Sequence, residues 1–246
     1  MLDRIYMQMQ AMQVLQRSQD VTADNLANIN TPGFKGNKLF YRMMTENMNG
    51  TEIRRAVPMS QVNLDQGILE PTGNEFDVAI NGDGFFKVMD GDQEYLTRDG
   101  RFSLNNDGFL INNNGAKVLG DSGPIQLSDL FQKNNENGGP NRLEISKDGS
   151  LLINGIPQDK LQIININDPS LLQRQGSSYF TVTDEIELSD EGTGRVMQGY
   201  FEKGNVKPLA EMVDMMRNMQ MFESQQRAMR TTDDMLSQVT NRLGKI

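Results

Sequence analysis

The sequence predicts an α+β protein, with a long helix at each end paired as a coiled-coil-like layer and a central all-β, antiparallel, hairpin-rich domain joined to them by extended connectors. Three observations predict it. Residues 3–30 carry apolar positions at helical spacing with no Gly or Pro before Pro32-Gly33. Residues 208–246 carry an unbroken heptad. Between Asn81 and Gly155 lie nine Asn-Gly or Asp-Gly dipeptides, each separating short β-prone runs.

In the first helix Leu2, Ile5, Met9 and Met12 follow 3-4-3 spacing, and Val14, Leu15, Val21 and Leu26 continue the apolar side. Pro32-Gly33 stops it. Residues 1–34 therefore form the helix with its stop, and residues 35–75, which lack sustained periodicity, read as an extended connector. Within it, 41–57 is expected to be partly disordered before assembly.

The β-domain is placed at 76–185. Asn-Gly and Asp-Gly supply the positive φ angles of tight hairpin turns. The runs between them are Phe76–Ile80, Phe85–Met89, Tyr95–Thr97, Arg101–Leu104, Phe109–Ile111, Lys117–Leu119, Arg142–Ile145, Leu151–Ile153, Leu161–Ile166 and Tyr179–Val182. Short strands at this spacing mean antiparallel pairing. The Asn- and Gly-rich stretch 133–141 reads as a mobile surface loop. A second connector spans 186–207.

The last helix opens at Pro208, which suits a first helical turn, with Glu211 and Asp214 complementing the helix dipole. Met215, Phe222, Met229, Leu236 and Leu243 are spaced seven apart, and Met212, Val213, Met216 and Met219 widen the stripe. Such length and spacing mark a coiled coil or bundle element. Of the 17 methionines, seven fall in this segment and four in the first twelve residues. As a set they favour adaptable packing between chains, because the thioether fills irregular gaps. The candidate assembly interface is therefore Ile5, Met9, Met12, Leu15 and Leu26 with Met212, Met215, Met219, Phe222, Met229, Leu236 and Leu243.

Composition narrows function. The net charge of −9 is concentrated in the middle: residues 1–30 carry Arg4 and Arg17 against Asp3, Asp20 and Asp24, while 208–246 balance basic and acidic side chains. Near-neutral ends suit burial against protein, and an acidic middle without a basic patch argues against nucleic acid. With no Cys and no His, catalytic triads, thiol chemistry and ordinary zinc sites are excluded. Asp90-Gly-Asp92-Gln-Glu94 fails the calcium-loop pattern, because Tyr95 and Arg101 stand where it needs Gly and Glu. Gly82-Asp-Gly84 is a turn. No catalytic residue, cofactor or metal site is read here. Nor is a membrane span, since no run approaches about 18 apolar residues. Met1–Asp20 lacks the apolar core of a signal peptide, so an exported chain would use a dedicated secretion machine.

The most specific local element is Asn25-Leu26-Ala27-Asn28-Ile-Asn-Thr31-Pro32-Gly33-Phe34-Lys35. Leu26 and Ile29 end the apolar face, the Asn and Thr side chains offer hydrogen bonds to a backbone leaving the helix, and Pro32-Gly33 forces the turn. Phe34 is free to pack back on the helix end. Read without precedent, this is a well-made helix terminator. It also resembles the N-terminal signature of the bacterial flagellar basal-body rod and hook family. Three further blocks agree in order: Glu70–Phe86, Tyr95–Phe102 with Asp107–Leu110, and Gln198–Val206 with Glu211–Val213 and Asp234–Leu236. The resemblance covers nearly the whole chain. It implies an axial structural protein, not an enzyme, whose partners are copies of itself, neighbouring rod proteins and the flagellar type III export apparatus. It implies a place in the basal-body rod, with the terminal helices as inner layer and the β-domain as outer. Both ends look closer to the proximal than to the distal rod members of that family. The rival from another class is a secreted carbohydrate-binding or carbohydrate-cleaving β-protein with helical stalks. A third is a coiled-coil scaffold of the cytosol.

Overall fold

A computed structural model of the chain describes residues 2–48, 51–128, 141–166, 168–182 and 194–243. The fold is α+β, with helices at both ends and an antiparallel β-domain between them. It divides into two units. One comprises Met1–Ala27, Asn37–Gln61 and Lys207–Ile246, and the other Asn28–Gly36 and Val62–Val206.

The first unit is built on α1 (Leu2–Ala27) and α2 (Pro208–Leu243). α1 ends three residues short of the expected Asn30, and the amide of Thr31 bonds back to the Asn28 carbonyl at 3.0 Å as the chain turns. α2 opens at Pro208, and its first closed turn runs from the Glu211 amide to the Lys207 carbonyl. Its 36 residues span about 54 Å at the usual rise. The helices are antiparallel neighbours. The Asn25 amide donates to Glu211 Oε1 at 3.2 Å, and the Asn218 amide donates to Ser18 Oγ at 2.9 Å. These two contacts lie seven residues apart on each helix, running in opposite directions.

The same unit holds β1 (Asn37–Met48) and β2 (Thr51–Val62), twelve residues each, paired as a two-stranded sheet. Here the structure differs from the extended connector expected over 35–75. A ladder needs no alternation of apolar residues where its side chains are exposed, and Tyr41, Met43 and Met44 on β1 are all exposed.

The second unit is the β-domain. Among the described residues its main sheet runs β15 (Leu172–Gln175), β16 (Tyr179–Val182), β6 (Gln93–Thr97), β5 (Phe85–Asp90), β9 (Lys117–Gly120), β8 (Leu110–Asn112) and β7 (Phe102–Leu104). Short β10 (Gly123–Pro124) joins β9, and β14 (Ile163–Ile164) joins β5. A three-stranded sheet holds β11 (Leu143–Ile145), β12 (Ser150–Ile153) and β13 (Ile156–Lys160). β5–β6 turns at Gly91, with φ +61°, so the Asp90–Glu94 carboxylates do flank a hairpin turn. The larger core gathers Phe86, Leu110, Ile125, Leu151 and Leu161, and the smaller one Phe85, Ile164 and Phe180.

Two further pairs close the domain. β17 (Arg195–Gln198) pairs with β4 (Val78–Asn81), and β18 (Tyr200–Glu202) with β3 (Leu69–Pro71). Part of the second expected connector, 186–207, is thus ladder. Each pair joins residues more than a hundred positions apart, so no local turn signal announces it. Of the stretch 133–141 only Asn141 is among the described residues.

Candidate functional site

The helix-stop motif leads into the most polar part of the β-domain's interior. Lys35, Arg98 and Glu202 are all buried, with side chains 1%, 3% and 1% exposed. Each comes from a different block of sequence. Lys35 ends the motif, Arg98 follows β6, and Glu202 ends β18. Glu202 Oε1 accepts from Lys35 Nζ at 2.7 Å and from the Gly67 amide at 2.7 Å, while Oε2 accepts from Arg98 at 3.1 Å. Lys35 also donates to the Asp65 carbonyl, and Arg98 to the carbonyls of Ile80 and Gly82.

One carboxylate therefore serves two buried cations. Burial lowers the Lys35 pKa from its ordinary value, the Glu202 carboxylate opposes that, and the neighbouring guanidinium adds to the lowering. Burial also lowers Arg98, again against the pull of Glu202. A buried ion cluster of this kind adds little net stability over an apolar core, but breaking it leaves an uncompensated charge. Its chemistry is that of a clamp. The carboxylate is filled from both oxygens by the protein's own donors.

Glycines let the backbones meet there. Gly33 has φ +66°, and a Cβ on it would fall on the Arg98 carbonyl carbon. The Gly33 amide donates to the Glu202 carbonyl at 2.7 Å. A Cβ at Gly67 would meet the Lys203 carbonyl.

One asparagine flanks the clamp. Asn205 Oδ1 accepts from the Gly36 amide at 2.7 Å, and its Nδ2 donates to the carbonyls of Asn63 and Asp65 at 2.8 Å. Phe34 is buried with the Arg174 guanidinium 4.5 Å above its ring, and Arg174 also lies 5.0 Å from the Phe180 ring and donates to the Lys35 carbonyl. In the helical unit, Asn25 takes both backbone groups of Asn37, accepting from its amide at 2.8 Å and donating to its carbonyl at 3.0 Å.

The motif residues thus divide by role. Asn25 and Lys35 make side-chain contacts with distant chain. Pro32, Gly33 and Phe34 are buried, Leu26, Asn28 and Thr31 are half-buried, and Ala27 is exposed. Sequence reasoning missed Arg98, Glu202, Asn205 and Arg174 as partners. The available signal was a charged or amide residue inside each of the ordered blocks, but nothing local says which meets which.

The helical candidates also divide. Among the described side chains of α2 the half-buried positions are Glu211, Met215, Asn218, Phe222, Gln225, Gln226, Met229 and Thr232; apart from Gln226 they alternate by four and three, on the face that carries the contacts to α1. Met12, Leu15 and Leu26 on α1 are half-buried, and Met9 is exposed. Met212 and Met219 are exposed, on the flank of the same apolar stripe that carries Met215 and Phe222. The side chains of Ile5, Leu236 and Leu243 lie outside the described residues.

Comparison with known proteins returns three family models. The flagellar basal body rod protein model matches residues 5–35, the flagellar hook protein FlgE/F/G D1 domain matches 79–153, and the flagellar basal body rod FlgEFG protein C-terminal model matches 197–243. The chain is 31% identical to the flagellar basal-body rod protein FlgF of Caulobacter vibrioides, with 98% of each chain covered. It is also 31% identical to FlgF of Mesorhizobium japonicum over 99% of each. Flagellar basal-body rod protein FlgG of Bacillus subtilis is 27% identical over 98% of this chain and 99% of its own.

Proposed function

The chain belongs to the flagellar basal-body rod protein family, and from that premise we propose that it is a structural subunit of the rod, polymerising through its terminal helices as part of the shaft that motility needs. One observation carries the mechanism. α2 is ten residues longer than α1 and bears a broad apolar stripe, half-buried along its Met215–Phe222 edge and exposed along its Met212–Met216–Met219 edge. An exposed apolar face of that length is what assembly buries, at roughly 1.5–3 kcal/mol for each Leu, Met or Phe taken fully from water.

In this reading the helices at 1–34 and 208–246 pack in coiled-coil fashion as the inner layer of the rod. The β-domain at 76–185 forms the outer layer. The alternating four-and-three spacing on α2 supports the first statement, and the acidic middle with neutral ends supports the second. The interface comprises Ile5, Met9, Met12, Leu15 and Leu26 with Met212, Met215, Met219, Phe222, Met229, Leu236 and Leu243. The partners are further copies and neighbouring rod proteins, reached by export through the flagellar type III apparatus without a cleaved signal. The two ends, and the relatives named FlgF, favour the proximal rod over the distal rod.

The test is incorporation. Phe222→Asp and Met229→Asp each put a charge on the heptad face of α2. Both variants are expected to disappear from purified basal bodies and to abolish swimming, while near-UV circular dichroism of the aromatic β-domain stays unchanged. Normal motility in either variant would count decisively against the mechanism.

A further inference from the structure

The chain contains no Cys and no Trp, so its 17 methionines are its main targets for two-electron oxidants. They are not equally open to attack. On α2, Met212, Met216 and Met219 are 43%, 57% and 49% exposed, whereas Met215 and Met229 are half-buried; Met221 and Met235 are exposed as well, but on the opposite side of the helix. Met212, Met216 and Met219 stand at i, i+4 and i+7, so their thioethers share one side of the helix. Leu209 and Val213, also exposed, complete the apolar stripe there. Methionine suits such a face because the flexible thioether adapts to an irregular partner surface. The same atom is its weakness.

We propose that Met212, Met216 and Met219 form an oxidation-sensitive modification site for hydroperoxides, which switches the free chain from assembly-competent to assembly-incompetent. The proposal rests on reading α2 as an assembly element. In the step itself, a thioether sulfur attacks one oxygen of hydrogen peroxide. The O–O bond breaks as the S–O bond forms, sulfur loses two electrons, and the other peroxide oxygen leaves as water. A dithiol reductant reverses it: two thiols become a disulfide, and the sulfoxide oxygen leaves as water. Each sulfoxide puts a strong hydrogen-bond acceptor on a face that is apolar before oxidation. Burying it against another apolar surface leaves that acceptor without a donor. A subunit already in place would have the stripe covered. Sensitivity is therefore confined to chains awaiting incorporation, and the modification works as a check on new subunits rather than on the finished rod.

The test uses cells lacking the native chain and supplied with wild type, a triple variant Met212→Leu, Met216→Leu, Met219→Leu, or a triple variant Met212→Gln, Met216→Gln, Met219→Gln. Each is grown with and without hydrogen peroxide. The chain is then quantified in purified basal bodies, and sulfoxides are mapped by peptide mass spectrometry in the assembled and unassembled pools. Circular dichroism of the purified variants checks their fold. The Gln triple, a polar stand-in for the sulfoxide, is expected to fall about tenfold below wild type without peroxide, the size of one poorly satisfied buried polar contact. Wild type is expected to fall similarly under peroxide, with its sulfoxides at these three positions concentrated in the unassembled pool. The Leu triple is expected to hold its level. Recovery of wild-type chains sulfoxidised at all three positions in basal bodies, in the same proportion as in the unassembled pool, would overturn the proposal. So would a Gln triple that incorporates normally, or a Leu triple as sensitive as wild type. None of these outcomes touches the assignment to the rod, which fails only if untreated wild type is missing from basal bodies.

Discussion

Glu202 is the side chain on which the β-domain's polar interior turns. Replacing it with Gln takes away the carboxylate that Lys35 and Arg98 share, and removal of one member of such a cluster costs about 3–5 kcal/mol. Urea unfolding of Glu202→Gln should show a lower midpoint at an unchanged slope, the shift multiplied by that slope giving the loss. Lys35 gives the cluster a pH signature. Its native pKa is lowered below 10.5 by burial. Between the native value and 10.5 the unfolded chain holds a proton that the folded chain has released, so stability rises with pH across that window. Arg98 keeps Glu202 paired when Lys35 gives up its proton. Equilibrium unfolding from neutral to alkaline pH should show this rise in wild type and not in Lys35→Met. Gly33→Ala meets two obstacles, a left-handed φ and the Arg98 carbonyl carbon, and should cost at least about 1–3 kcal/mol in thermal unfolding.

At the scale of elements, the helices were the most legible and the long hairpin the least. Apolar spacing and Pro208 placed α2 from its first residue, and Pro32-Gly33 set the outer limit of α1. What the pattern could not show was that the broad stripe of α2 is half-buried along one edge and exposed along the other, since it looks the same whether one neighbour or two will cover it. β1 and β2 were missed because periodicity reports burial, and the exposed run Tyr41–Thr45 on β1 has no face to alternate against. A turn signal was present, for Asn49-Gly50 separates the two strands in sequence. Asn25 ties the hairpin's start to α1 and α1 to α2. Asn25→Ala loses all three hydrogen bonds and leaves the backbone groups of Asn37 to find other partners. A loss of about 1–3 kcal/mol in the helical unit is expected, read as earlier loss of far-UV helix signal on heating.

For the whole molecule, the fold class and the family were readable because the signals were local: hairpin dipeptides, heptads and a helix stop. The clamp was not, because it is assembled from residues near 35, 98 and 202. The pairing of β3 with β18 and of β4 with β17 brings those positions together, and each pairing spans most of the domain. Lys35, Ile80, Gly82, Arg98 and Glu202, which meet at this clamp, each come from a block by which the chain resembles its family, so motif residues such as Lys35 hold a position rather than carry chemistry. In the proposed assembly, the helices beyond them are left to meet other subunits. The most direct measurement of that claim is mass-spectrometric quantification of the chain in basal bodies purified from cells producing either the full chain or a version lacking 208–246. The full chain should be recovered in the rod fraction, and the truncated one should be absent from it. Recovery of the truncated chain at the full-length level would contradict assembly through the terminal helices.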